Sequence, residues 1–131
     1  MSELPAIPMT GSGRIDDEHT QLYAHFQTIS QYIHENTDNE DAISVALTNL
    51  ISDLRAHFEH EEDVMRKAAY AGMSKHQSDH LKILNEVQLM IMNWRQGKDN
   101  KKLAHEIEEH LPQWLHEHIL KRDIQLVQNI T

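Results

Sequence analysis

Residues able to bind a metal recur in this sequence at helical spacing. His57 and Glu61 are four residues apart, and so are His76 and His80. Because four residues make about one α-helical turn, each pair lies on one helix face and aims two ligands at a common point. Together with candidates near both ends of the chain they form a set of five imidazoles and two carboxylates: His19, His57, Glu61, His76, His80, His118 and Asp123.

Taken alone, a histidine on an apolar helix face is more often a hydrogen-bonded core residue than a metal ligand. The joint pattern favours a metal, because each buried imidazole or carboxylate left without a cation would cost on the order of several kcal/mol. No histidine has a glutamate three residues before it, which disfavours a ferritin-like carboxylate site, and no HExxH motif of a zincin hydrolase occurs. The alternative left open is a structural bundle without a metal.

Four segments carry apolar residues at steps of three and four, the pattern of amphipathic helices. Each apolar face includes at least one of the candidate histidines. Short polar or glycine-containing stretches near residues 36–39, 72–74 and 97–100 separate the segments. The predicted fold class is therefore all-α, an antiparallel up-down-up-down four-helix bundle. The first residues lack periodicity and contain prolines and glycines, so we expect an extended N-terminal arm over 1–13 and the bundle over 14–131.

Three local features predict how individual helices begin or bend. Asp16 or Asp17 is expected to cap the first helix. Pro112 should kink the last helix or start a new one, because it lacks a backbone donor and clashes one turn back. His118 and Asp123 are five residues apart, about 140° on a regular helix, so their convergence requires a π-type widening or a long reach to the farther metal, and we predict a local irregularity there.

Composition narrows the classes of function. A chain of 131 residues without cysteine can bury one core and excludes disulfides, thiolate sites and iron–sulfur clusters. The formal net charge of −9 disfavours nucleic-acid binding. The N-terminus lacks the pattern of a signal peptide and the apolar runs are short, so we expect a cytoplasmic protein that does not span a membrane.

Four segments together resemble the signature of the hemerythrins, particularly the bacteriohemerythrins: IDDEH at 15–19, HFEHEEDVM at 57–65, HQSDH at 76–80 and WLHEHILKRD at 114–123. The resemblance spans residues 14–123. It implies two iron ions. One would be bound by His76, His80 and His118 and the other by His19 and His57, with Glu61 and Asp123 bridging both beside an oxo or hydroxo group. The identity of the metal as iron is implied by the resemblance alone, because an imidazole-rich site also suits zinc or copper.

The resemblance further implies reversible binding of dioxygen at the iron with two histidines, without enzymatic turnover. Leu115 matches a position that lines the dioxygen pocket in relatives, and Ile119 flanks His118 with it. The last helical pattern runs to Thr131 without a stop signal, which favours an attached C-terminal output domain or self-association. We therefore expect an oxygen- or redox-sensing domain of a signalling protein. A stand-alone carrier or storage protein and a di-iron peroxidase or oxidase are the alternatives.

The other histidines are predicted to be mainly surface residues. His60 and His116 align with polar positions of their helices although they lie close to candidate ligands. His25 and His110 border apolar positions, which leaves open a role as hydrogen-bond donors behind the ligands.

Overall fold

The structure, a computed structural model, describes residues 6–35 and 39–130. Three long helices come first: α1 at Gly13–His34, α2 at Glu40–Lys67 and α3 at Met73–Gly97. A fourth helix follows in pieces, α4 at Asn100–His105, α5 at Leu111–His118 and α6 at Ile124–Ile130. Short π-helical segments, Glu106–His110 and Ile119–Asp123, join these pieces, so that the fourth helix continues over 100–130.

The predicted all-α four-helix bundle is confirmed, and no strand occurs among the described residues. α1 packs against α2 and the fourth helix, and α3 packs against the same two neighbours. Short loops make sequential helices antiparallel neighbours. The predicted apolar faces form the core, in which Leu22, Leu47, Ile83 and Ile107 are almost fully buried. At the end of the α2 face, Met65 is fully buried and Val64 is partly exposed.

The start of α1 differs from the expectation that Asp16 or Asp17 caps it. Ser12 is the N-cap, and its hydroxyl accepts a hydrogen bond from the Ile15 amide at 3.3 Å. Asp16 instead reaches back to the arm, where it accepts hydrogen bonds from the backbone amide and the hydroxyl of Thr10, both at 2.8 Å. The carboxylate still stabilises the helix, because it lies in the first turn near the positive end of the helix dipole. The described part of the arm is thus tied to α1.

The fourth helix contains the predicted irregularity. Between His118 and Asp123 the chain is π-helical, and the Ile124 amide donates to the carbonyl of Ile119, five residues back. Another π-helical segment precedes Pro112, which lies in the first turn of α5. The fourth helix therefore continues past Pro112, with the change from π-helical to α-helical hydrogen bonds directly before it. The Pro112 carbonyl accepts a hydrogen bond from the Tyr23 hydroxyl at 3.3 Å.

Within residues 6–35 and 39–130, no helix has both the length and the apolar composition that crossing a bilayer requires. Each long helix keeps one polar face.

Candidate metal centre

All seven candidate ligands lie together inside the bundle, in two groups that share Glu61. We call His76, His80, His118 and Glu61 the three-histidine group, and His19, His57, Glu61 and Asp123 the two-histidine group. Within each group the possible ligand atoms lie within 4.8 Å of one another. Each of the four helices contributes, so the site exists only when the bundle has assembled.

The two carboxylates divide their oxygens between the groups. Glu61 directs Oε1 to the Nε2 atoms of His76 and His80, at 3.3 and 3.0 Å, and Oε2 to the Nε2 of His57 at 3.3 Å. Asp123 directs Oδ1 to the Nε2 of His118 at 3.2 Å and Oδ2 to the Nε2 of His19 at 2.9 Å. A carboxylate with one oxygen toward each group is positioned as a bridge between two cations.

Hydrogen bonding leaves these groups unsatisfied. Among the described residues, eleven buried side-chain nitrogen and oxygen atoms have no hydrogen-bond partner, and all belong to the seven candidates. Although several N···O separations are short, the atoms face a common interior rather than pair as donor and acceptor. An unsatisfied buried polar group costs about 1–3 kcal/mol, and more when charged. Bound cations would offset this cost, so the donor set fits a metal centre.

When no metal is bound, the electrostatics of the site favour protonated imidazoles beside ionised carboxylates. Burial opposes protonation of His57 and His76, but nearby carboxylates outweigh it and raise their pKa values to about 10 and about 9. Burial would raise the pKa of Glu61 and Asp123, yet the surrounding imidazoles hold both below their usual ranges. Protons on the imidazoles thus balance the buried carboxylates, and an incoming cation must displace them.

Two aromatic rings lie against ligand rings. Phe58 stacks on His80 with ring centroids 3.8 Å apart, and Trp114 stacks on His118 at 4.6 Å. Sequence reasoning did not assign either aromatic to the site. Their spacing held a usable signal, because Phe58 follows His57 directly and Trp114 lies four residues before His118. Stacking restricts the rotation of the two imidazoles.

Sequence reasoning missed the acidic residues outside the ligand set. Glu18 Oε1 lies 3.1 Å from Nδ1 of His57 and 2.7 Å from Nδ1 of His60, and Glu62 Oε2 lies 2.9 Å from Nδ1 of His80. A ligand histidine usually donates its outer N–H to such a group, which fixes its tautomer and orientation. The surface interpretation of His60 is therefore wrong, because its contact with Glu18 holds it partly buried behind the site.

Other histidines lie away from the centre. His25 pairs with Asp53 at 2.6 Å, and His110 pairs with Glu106 at 2.6 Å. His116 is only partly exposed, because its Nδ1 lies 3.1 Å from the Ala6 carbonyl of the arm.

The predicted dioxygen-pocket residues, Leu115 and Ile119, are almost fully buried. Leu115 also lines a small apolar cavity of about 10 Å³ with Phe26, Leu54 and Trp114. A volume of this order is at the lower limit for a single water molecule, and none of the seven candidate ligands lines the cavity.

Comparison with known protein families gives one result. The model described as "Hemerythrin HHE cation binding domain" matches residues 10–128. Neither a curated protein nor a solved structure gives a significant match.

Proposed function

Since this chain belongs to the hemerythrin HHE cation-binding family, we propose that its metal-binding domain holds a non-haem di-iron centre that binds dioxygen reversibly. In this proposal His76, His80 and His118 serve one iron, and His19 and His57 serve the other. Glu61 and Asp123 bridge the pair.

The observation that carries the proposal is the division of the ligands. The three-histidine and two-histidine groups overlap at Glu61, and Asp123 also has one oxygen near an imidazole of each group. This arrangement supports two cations rather than one. With Asp123 counted as a bridge to both, the cation of the two-histidine group would have four protein ligands and the other cation five, so the former is the one that keeps a coordination position open for dioxygen.

Two ferrous ions in this site would supply the two electrons that reversible dioxygen binding requires. The protein's part is to hold and shield them. Only Glu61 and Asp123 bring negative charge, since imidazole ligands are neutral when metal-bound, and limited charge donation favours binding over oxidation of a second substrate. Leu115 and Ile119 are proposed to keep the open position dry, which slows loss of bound dioxygen through protonation.

The direct test combines metal analysis with absorption spectroscopy of the purified chain. We expect two irons per chain and oxo-bridge charge-transfer bands that bleach on anaerobic reduction and return with air. No bound iron after anaerobic reconstitution would refute the proposal. Rapid peroxide-dependent oxidation of an added dye, beyond that of free iron, would favour the peroxidase alternative.

We propose that the biological role of this dioxygen binding is oxygen or redox sensing, and one structural observation favours this role. The proposed ligand His118 directly precedes the π-helical segment Ile119–Asp123, and the proposed ligand Asp123 is its last residue. Helix α6 follows immediately. A change in how Asp123 is held would alter the hydrogen-bond register of this segment and therefore the direction of α6. The proposal includes a cytoplasmic location and, as partner, an output domain or a second copy of the chain.

Hydrogen exchange separates sensing from carriage. We expect amide protection in Ile124–Ile130 to differ between the reduced and the air-oxidised protein, whereas Gly13–His34 changes little. Identical protection of Ile124–Ile130 in both states would favour a carrier.

A further inference from the structure

Three acidic residues outside the ligand set face the outer nitrogens of ligand histidines. We call Glu18, Glu62 and Asp79 the outer carboxylates. Glu18 and Glu62 are hydrogen-bonded to His57 and His80, as described above. Asp79 Oδ2 lies 4.0 Å from Nδ1 of His118, within electrostatic reach.

Each outer carboxylate is held by a second side chain. Glu18 Oε1 also contacts Nδ1 of His60 at 2.7 Å. Glu62 Oε1 accepts a hydrogen bond from the Gln77 amide at 3.0 Å. Asp79 Oδ2 accepts one from Nε of Arg122 at 2.7 Å. Because these carboxylates are anchored, they can restrict the imidazoles that they face.

The outer carboxylates follow a common rule of chain position. Glu18 precedes the ligand His19, Glu62 follows the ligand Glu61, and Asp79 precedes the ligand His80. Each then faces a ligand imidazole on the next helix of the chain: α1 faces α2, α2 faces α3, and α3 faces the fourth helix.

Helix geometry explains the alternation between preceding and following positions. One residue along a helix turns the side chain by about 100°. On α1 and α3, the residue before a ligand lies to one side of that ligand when the bundle is viewed along its axis. Because α2 runs in the opposite direction, the residue on that same side of its ligand is the one that follows it. The outer carboxylates therefore point from helix to helix in one direction.

The fourth helix breaks this series. It runs in the same direction as α2, so the equivalent positions follow its ligands His118 and Asp123, and they are occupied by Ile119 and Ile124. Neither side chain can accept a hydrogen bond. Nδ1 of His19 is buried without a hydrogen-bond partner among the described residues, and so is Nδ1 of His76 in the three-histidine group. The two-histidine group thus has one supported imidazole, His57, and that support comes from Glu18.

We propose that Glu18 is the positioning residue on which metal binding by the two-histidine group depends, while Glu62 and Asp79 position the imidazoles of the three-histidine group. The inference rests on the proposed function in requiring that both groups bind a metal. Its further content is that the two metals are stabilised by different outer carboxylates, and that the metal beside His19 and His57 depends on one of them, Glu18, whereas two face the imidazoles of the other metal.

The test is titration of the full metal-free chain with cobalt(II), a spectroscopic substitute for iron(II), in competition with a chelator. Glu18→Gln and Glu18→Ala are compared with Asp17→Asn, which removes a carboxylate from an exposed position of the same helical turn. We expect Asp17→Asn to bind two cobalt ions like the unmodified chain. The Glu18 variants should keep one ion with little change and bind the other at least 10-fold more weakly, the usual effect of losing an outer-shell partner.

Glu62→Gln should show the converse pattern and weaken the ion of the three-histidine group. A purely structural role of Glu18 would not alter the exchange rate of the His57 Nδ1 proton, which is observable as a paramagnetically shifted NMR resonance in the cobalt protein. We expect this proton to exchange faster with solvent in Glu18→Gln, at unchanged helix content by circular dichroism.

Two outcomes would overturn the inference alone, with the proposed function intact: Glu18→Gln binds both ions as Asp17→Asn does, or it weakens both ions equally. If the unmodified chain binds no metal at all, the proposed function itself fails. Should Glu18→Ala not fold, the isosteric Glu18→Gln decides the question.

Discussion

Replacing Glu61 by glutamine removes the charge that both halves of the site share, at nearly constant volume. The two carboxylate oxygens of Glu61 lie 3.0 to 4.0 Å from the Nε2 atoms of four histidines, and the Glu61 side chain is fully buried. In the metal-free protein the change leaves the protonated His57 and His76 to share the buried carboxylate of Asp123, and breaking a buried ion pair costs about 3–5 kcal/mol. For a domain of this size that lowers the melting temperature by roughly 10–15 °C.

The same substitution should abolish the paired metal centre, because Glu61 belongs to both ligand groups. We expect Glu61→Gln to bind at most one iron and to lack oxo-bridge absorption bands. Glu59→Gln is the matched control, since Glu59 is exposed on the same helix two residues earlier. Metal analysis, absorption spectra and thermal unfolding by circular dichroism measure these effects. Two bound irons with normal bridge bands in Glu61→Gln, or a melting temperature equal to that of Glu59→Gln, would refute the reasoning.

Three further predictions concern stability and the pocket. First, the raised pKa values of His57 and His76, about 10 and about 9, stabilise the metal-free fold fully below about pH 6.5 and lose this effect as pH rises through 9 and 10; urea unfolding should show a loss on the order of 7 kcal/mol between pH 6.5 and 10. Second, Leu115→Ala should cost about 2–5 kcal/mol and speed autoxidation of the dioxygen-loaded protein, whereas Leu126→Ala should lower stability without that acceleration. Third, Ser12→Ala should cost about 1 kcal/mol in thermal unfolding, because it removes the cap of α1.

Each of these predictions has an outcome that contradicts it. A stability that is constant between pH 6.5 and 10 in the metal-free protein would contradict the charge separation in the site. Equal autoxidation rates in Leu115→Ala and the unmodified chain would reduce Leu115 to a packing residue. Unchanged stability in Ser12→Ala would show that the hydroxyl does not cap the helix.

Much of the fold was predictable because its determinants are local. The four apolar faces follow from steps of three and four, and the same steps place His57 with Glu61 and His76 with His80 on buried faces. The five-residue spacing of His118 and Asp123 predicted a local irregularity, either a widened turn or a long reach, and the chain between them is π-helical. In each case, helix period alone relates residue number to direction.

Helix starts were less predictable because several nearby side chains compete for the same amides. Asp16 has the right chemistry for a cap, but Thr10 and Gly11 of the arm donate to its carboxylate, and Ser12 caps α1 instead. At Pro112 the sequence left a kink or a new start open. The structure has neither a stop nor a new start there, because the fourth helix continues through a π-helical segment that ends just before Pro112.

The sequence by itself determined which side chains turn inward, and therefore that five imidazoles and two carboxylates would be buried in one small bundle. Only the tertiary structure decided how they divide into two groups, which oxygen of Glu61 faces which imidazole, and that Glu18, Glu62 and His60 lie behind the ligands. The physical reason is that helix period specifies direction around one axis, whereas contacts between helices depend on the offset of one axis along another. That offset is fixed only when all four helices pack.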